Sequence, residues 1–340
     1  MAAVTLRDVA AEAGVDTSTA SRALSAANQH LLSTETVTRV LETAEKLNYR
    51  PNTIARGLRT NRTQTVGMLV PDLTNPFFPP IVRGIEDELG RSGYTLILAN
   101  TENDAAHERA VSASMLARQI DGLIVASARL DIASPEWAGR DSPPLVLVDR
   151  WEPDHDYPYV ISDDRMGTRQ AIDHLVGLGH EVIAHIAGPK ELPTGRIRYE
   201  AYRRELRRQK LRQSKDQVVF AEGFSIQAGA KACQELLDRG VEFTAIFAAN
   251  DLVAIGCLDA LAEAGVEVPT DVSIVGFNDM LLVDKVSPPL TTVHVPKYEM
   301  GVTAARLLVN RLKGEKSDER HVTLPVHLVV RSSTGPSSRR

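Results

Sequence analysis

The chain has 340 residues, 43% apolar and 24% charged, enough for two or three domains with cores of their own. Only two cysteines are present, Cys233 and Cys257, which excludes a disulfide scaffold, and no apolar run reaches the length of a bilayer span. The net charge of −5 is uneven: residues 1–60 carry seven Lys/Arg against six Asp/Glu, a head near +1 on a body near −6, which excludes a uniformly basic nucleic-acid-coating protein. Met1 to Leu6 have neither a basic nor an apolar leader, so no signal peptide and a cytoplasmic, nucleoid-associated location are expected.

Leu6, Val9, Ala10 and Ala13 fall on one helical face, with Thr5 as N-cap and Gly14 as the residue that ends the helix at positive φ. Val15 fills the turn. Thr17-Ser18-Thr19 offers the next N-cap, and Ala20 and Leu24 form the buried side of a second short helix. Two short helices joined by a Gly-containing turn make a helix-turn-helix pattern. The outward face of the second carries Thr17, Ser18, Ser21 and Arg22, small hydroxyls plus one Arg, sized for a major groove. Ser33 or Thr34 caps a third helix whose apolar face is Val37, Val40, Leu41, Ala44 and Leu47. The same pattern serves an ordinary three-helix domain with a solvated polar face.

Residues 51–63 read as a hinge helix and linker. Pro51 can open a helix, but only about seven residues follow, too few to be stable alone. Leu58 between Arg56 and Arg59 suits a minor-groove wedge flanked by phosphate contacts; a plain linker is the alternative.

Val4-Thr5-Leu6-Arg7-Asp8-Val9-Ala10, Ala13-Gly14-Val15, Ser21-Arg22 and Tyr49-x-Pro51-Asn52-x-x-Ala55-Arg56-x-Leu58 resemble the LacI/GalR family of bacterial repressors, and the resemblance runs to about residue 331. It implies that Thr17, Ser18 and Arg22 read bases. It implies that Thr5, Thr19, Ser21 and Asn52 hold backbone, with Leu6, Ala55 and Arg59 also at the DNA, and that Leu58 is the hinge wedge at the centre of a palindrome. The stretch 25–32 is about two residues longer than is usual, and Ser25 stands where the family often has Asn.

Beyond residue 64, short β-branched runs alternate with helical stretches. Val66–Val70, Thr95–Leu98, Gly122–Val125 and Leu145–Val148 are strands, with helices near Phe78–Arg91 and His107–Gln119. The helices Met166–Leu178, Arg198–Arg208, Ile226–Arg239 and Leu252–Ala264 then alternate with strands Val182–Ile186, Val218–Phe220, Ala245–Ala248 and Ser273–Phe277. This is an α/β body of two doubly wound parallel sheets behind a three-helix head. The expected lobes are 64–162 with 292–322, and 163–291 with 323–335, joined near Ser162 and again near Leu290. The Ser- and Arg-rich stretch Ser332–Arg340 reads as disordered, with the body ending near 335 and a tail of 336–340. The family implies a periplasmic-binding-protein-like body of this kind.

Ligands bind open α/β sheets at the carboxyl ends of the strands. Asp72, Asn75, Phe77 and Phe78 follow the first strand, Asp149 the fourth, and Asn250-Asp251 and Asn278-Asp279 the late ones; Arg198 opens a helix. Carboxylates, amides, one Arg and aromatic faces make a chemically sensible sugar site. The resemblance implies effector contact by Asp149, Arg198, Asn250 and the Asn278 position, where the family usually has Asp, with Phe77, Thr194 and Phe224 lining the site. Asp149 and Asp251 also read as caps or turn formers, Phe77 as core, and Arg198 as a partner of Glu200 or another surface acid.

No metal site, cofactor or enzyme activity is expected. His180-Glu181…His185 runs into a strand, so the two histidines cannot share a helical face as a zinc motif needs. Gly223-Phe224-Ser225 lacks the second Gly of a nucleophile elbow, and Cys233 and Cys257 read as core. A plain sugar receptor serving a transporter would use the same body, but a helix-turn-helix stands where its leader would be. The reading is therefore a homodimeric repressor that binds a palindromic double-stranded operator, with a sugar-like effector and no membrane partner. No heptad repeat follows the body, so dimers rather than tetramers are expected.

Overall fold

A computed structural model describes residues 4–24, 26–49, 62–130, 142–151, 156–315 and 320–337. The chain divides into two compact units, a head of 1–63 and a body of 64–340.

The head is built from helices α1 (Leu6–Glu12), α2 (Thr17–Ala23) and α3 (Thr34–Lys46), with a 3-10 turn at Ala26–Leu31 between the last two. Gly14 sits at φ +66, as the end of α1 requires. Small side chains let the helices approach closely: the core is Val9, Ala10, Ala13, Ala20, Ala23, Val40 and Ala44. Two expectations are corrected. Asp16, not Thr17, Ser18 or Thr19, caps α2; its carboxylate accepts from the Ser18 and Thr19 backbone N–H, a stronger acceptor than a hydroxyl. Leu41 is not on the buried face but 42% exposed, because only Val40 and Ala44 of α3 meet α1 and α2 squarely.

The body holds two six-stranded sheets. The first comprises β1 (Thr65–Val70), β2 (Thr95–Asn100), β3 (Gly122–Val125), β4 (Leu145–Val148), β5 (Tyr159–Ser162) and β11 (His321–Leu324), in the order β11-β5-β4-β3-β1-β2. Every pairing in it is parallel. It is covered by α4 (Phe78–Arg91), α5 (Ala105–Ala117) and α10 (Lys297–Lys313). The second sheet comprises β6 (Ile183–Ala187), β7 (Val218–Phe220), β8 (Ala245–Ala248), β9 (Ser273–Asn278), β10 (Thr291–His294) and β12 (His327–Val329), in the order β12-β10-β9-β8-β6-β7. Only β12 runs antiparallel to its neighbour. Its helices are α6 (Asp164–Gly177), α7 (Pro193–Arg208), α8 (Ile226–Asp238) and α9 (Asp251–Glu263). The inner strands are apolar on both faces, as parallel strands between helix layers must be. Helices α4 and α10 meet backbone to backbone: a Cβ at Gly301 would lie 2.1 Å from the Ile81 carbonyl oxygen.

Among the described residues the chain crosses between the lobes three times, at β5 to α6, β10 to α10 and β11 to β12. This corrects the expected lobe limits. Thr291–His294 belongs to the second sheet, because β10 pairs with β9, so the crossing follows 294 rather than 291. His321–Leu324 pairs whole with β5, so the last crossing follows 324 rather than 322. The tail is also corrected: residues 332–337 dock on the second lobe. Ser333 is fully buried, its hydroxyl donating to the Ile274 carbonyl, and Ser337 N donates to the Leu178 carbonyl. Residues 338–340 lie outside the described residues.

Candidate functional site

On the head, Thr17, Ser18 and Arg22 are exposed on α2, with Thr19 and Ser21 half-buried beside them. The Ser18 hydroxyl donates to Asp16 Oδ1 at 2.5 Å and the Thr19 hydroxyl to Oδ2 at 2.6 Å. These bonds hold the Asp16 carboxyl well below the usual carboxylate range. An ionised carboxylate only accepts, so both hydroxyl protons are committed and each oxygen keeps lone pairs for any further partner. Thr5 is arranged likewise: its N–H and its hydroxyl both donate to Asp8 Oδ2 at 2.8 Å. Leu6 is half-buried against the head core. Asn52, Ala55, Leu58 and Arg59 lie outside the described residues.

In the body, nine of the expected effector residues surround one cavity of about 290 Å³ in the cleft: Asn75, Phe77, Phe78, Asp149, Thr194, Arg198, Phe224, Asn250 and Asn278. Asp72 lines instead an adjoining chamber of about 750 Å³, which shares Asn75, Phe78, Arg150 and Phe224 with the first. Asn75 Oδ1 accepts from Phe77 N at 3.0 Å and so fixes the turn that presents two edge-to-face rings, 5.2 Å between centroids. Asp149, straight after β4, is buried at φ +67. Burial pushes its pKa up to about 6 against the pull of Arg150 and Arg198.

Arg198 is not at the start of its helix. Pro193 opens α7, and Arg198 is buried in its second turn. Its partner is Asp164 rather than Glu200, which pairs with Arg196. Arg198 Nε and Nη2 donate to Asp164 Oδ1 at 3.1 and 2.9 Å, Nη1 donates to the Ala249 carbonyl at 2.7 Å, and the guanidinium lies 3.8 Å over the Phe277 ring. Asn250 doubles as the N-cap of α9, its Oδ1 accepting from Val253 N at 2.9 Å. Asn278 Oδ1 lies 3.5 Å from Arg198 Nη2.

Arg150 was missed at the sequence level. It follows Asp149 directly, is buried, and lines both cavities. Burial lowers its pKa to about 10, offset in part by Asp149, and its Nε has no hydrogen-bond partner. Each guanidinium of the first cavity thus has a neighbouring carboxylate, Asp164 for Arg198 and Asp149 for Arg150 at 4.0 Å. Such a site offers directed donors and acceptors with little net charge, suited to hydroxyl groups.

Asp251 is structural. It is fully buried and accepts from Thr292 Oγ1 and Met280 N. His180 bonds Thr244, Ser273 and the Gly335 carbonyl, and His185 bonds the Phe247 carbonyl from within β6. Cys233 and Cys257 are free and buried. Among the described residues no cluster of His, Cys, Asp or Glu could hold a metal ion, and no helix is long and apolar enough to cross a membrane.

The model of the lacI family of bacterial regulatory proteins matches residues 5–52, and that of a periplasmic binding protein-like domain matches 172–334. The HTH-type transcriptional repressor CytR of Escherichia coli strain K12 is 34% identical over 98% of this chain and 96% of its own. A lac repressor dimer bound to operator superposes with a TM-score of 0.86 at 28% identity, over 98% of this chain and 100% of that one. A LacI family regulator from Enterococcus faecium with bound ribose gives 0.69 at 33% identity, over 80% of this chain and 99% of that one. With a helix-turn-helix head, a two-lobed body and a repressor aligned along almost its whole length, the chain belongs to the LacI family of bacterial transcriptional regulators and is not an enzyme.

Proposed function

We propose that the protein is a homodimeric repressor that binds a palindromic operator through α2 and whose operator affinity is set by a small neutral sugar of about pentose size. The observation that carries the effector reading is the charge-balanced cavity, in which both lobes supply hydroxyl-binding groups around aromatic faces. A family member of similar sequence holds ribose, which supports a ligand of that size. The adjoining chamber of about 750 Å³ favours a second reading, a pentose carrying a second ring as in a nucleoside. Effector coupling in the usual range, about 1–3 kcal/mol, changes operator affinity about 5- to 150-fold.

The deciding experiment selects duplexes from a random pool with the full-length protein. An inverted repeat that shifts in a gel is expected, with binding altered by one member of a panel containing D-ribose, D-xylose, adenosine and cytidine. Selection of no inverted repeat, with or without the panel, would overturn the proposal. Thermal shifts separate the two effector readings, because at equal concentration the ligand that binds the folded protein more tightly stabilises it more. Arg22→Ala is expected to lose about 1–3 kcal/mol of discrimination between the selected repeat and a scrambled duplex. Retained discrimination would move the reading surface off α2.

The homodimer reading is supported by apolar side chains left in water on the second lobe, Leu281 at 79% and Leu282 at 61% exposure. Exposed apolar neighbours of this kind mark contact surfaces. Leu281→Asp with Leu282→Asp is expected to raise the dimer dissociation constant at least tenfold in sedimentation equilibrium. An unchanged constant would place the contact elsewhere.

A further inference from the structure

Asn278 reaches the cavity from an uncommon backbone. Asn278 and Asp279 are consecutive non-glycine residues in the left-handed half of conformational space, at φ +112 and +52. Asn and Asp visit the left-handed helical well more readily than other non-glycine residues, but the Asn278 φ lies outside that well and needs surroundings that hold it there. One side chain grips both. Lys297 Nζ donates to the carbonyl oxygens of Asn278 at 2.6 Å, Asp279 at 2.8 Å and Val295 at 3.2 Å. An ammonium has three N–H bonds, and all three are used, on carbonyls.

The lysine is costly where it stands. It is 9% exposed, and burial lowers its pKa, with Asp279 and Asp251 opposing that shift. It is also the first residue of α10, where the helix dipole disfavours a cation. An apolar residue would fill the space without either penalty. What the lysine adds is a bridge: α10 packs on the first sheet, whereas Asn278 and Asp279 end a strand of the second. The same turn is held from its other side, where Asp279 accepts from Arg331 Nη2 at 2.6 Å and from His294 Nδ1 at 2.9 Å.

We propose that Lys297 is a positioning residue of the effector site, holding the Asn278–Asp279 turn so that the Asn278 amide faces the cavity and tying that turn to the first-lobe helix. The proposal rests on the effector-site reading above. A ligand that bonds Asn278 then pulls on the same turn that Lys297 grips, so occupancy and lobe angle are linked through one ammonium.

The test compares full-length wild type, Lys297→Met, Lys297→Gln, the pair Asn278→Gly with Asp279→Gly, and that pair combined with Lys297→Met. In a crystal structure of Lys297→Met the Asn278 φ is expected to turn negative and its amide to leave the cavity. Lys297→Gln, which keeps two donors, should fold where Met does not and shift the turn less. In urea unfolding, Lys297→Met is expected to raise the unfolding constant at least tenfold more in the wild-type background than in the glycine background, since glycine keeps positive φ unaided. Calorimetric titration with D-ribose is expected to show at least tenfold weaker binding for Lys297→Met. An unmoved Asn278 with additive unfolding effects would overturn the proposal. If wild type gives no heat with D-ribose, the pentose reading falls, while the crystal structure and the unfolding cycle still decide the role of Lys297.

Discussion

Replacing Arg198 by alanine is expected to destabilise the body by about 3–5 kcal/mol and to abolish the response to effector. The size follows from what is left behind. Asp164 is buried, and its neighbours beyond Arg198 are the Ser162 hydroxyl at 3.1 Å and the like charge of Asp163. Burial already raises the Asp164 pKa, and Arg198 is the main opposing influence. Without the guanidinium, Asp164 must take up a proton or remain a buried unpaired charge, and the Ala249 carbonyl loses its 2.7 Å donor. Removing both partners avoids the unpaired charge. Arg198→Ala with Asp164→Ala is therefore expected to cost less than the sum of the two single changes, measured by urea unfolding. Strict additivity would mean that the pair is not coupled. Asp164 opens α6 at the first crossing between the lobes, so the same pair joins the cavity wall to a hinge strand.

Much of this arrangement is legible in the sequence, because parallel strands buried on both faces read as continuous apolar runs. Gly122–Val125, Leu145–Val148, Val218–Phe220 and Ala245–Ala248 stand in the structure with the limits read from the residues. Helix starts are less legible. The residues suggest a helix opening at Arg198, yet its first turn is Pro193-Thr194-Gly195, where Pro is welcome and Gly195 is needed. A Cβ there would lie 2.3 Å from the Pro189 carbonyl oxygen. Only the packed structure brings that carbonyl near. Residues 292–294 are expected in the first lobe because chain order alone does not reveal that β10 returns to β9. Helix α10 carries a regular apolar face through Met300, Ala304 and Leu308, so its helical signal lies in the residues themselves.

The cavity residues were legible for a topological reason: side chains just past strand ends converge in such sheets. What the residues alone do not give is their partners. Arg150 has no pattern beyond its place after Asp149, and its role appears only once β4 directs it inward. Asp16 is overshadowed by the three hydroxyl residues that follow it, each a cap candidate, although it sets the hydrogen-bonding state of Ser18 and Thr19. Asp251 looks like a ligand-binding carboxylate beside Asn250, but it faces Thr292 and Met280 within the second lobe.

That buried carboxyl gives the second large expectation, a stability difference that depends on pH. Burial is the main cause that raises the Asp251 pKa, to about 7, against opposing bonds from Thr292 and Met280. In the unfolded chain an aspartate titrates near about 3.9. Between these values the unfolded state gives up its proton while the folded state keeps it. Asp251 therefore lowers stability progressively as pH rises from about 4 to about 7, and no further above that. Asp251→Asn carries no such titration. It keeps one acceptor and loses the other, costing about 1 kcal/mol at every pH. Relative to wild type, the variant is therefore expected to gain on the order of 3–4 kcal/mol between pH 4 and pH 8. The comparison must be between the two proteins rather than along one curve. His185, whose pKa burial lowers to about 4, adds stability as pH rises from about 4 to about 6.5 and masks the trend in wild type alone. Urea midpoints of both proteins at pH 5, 6, 7 and 8 measure the gap. A gap that does not widen with pH would mean that Asp251 is ionised in the folded protein throughout, its charge balanced by Lys297 across the crossing between the lobes.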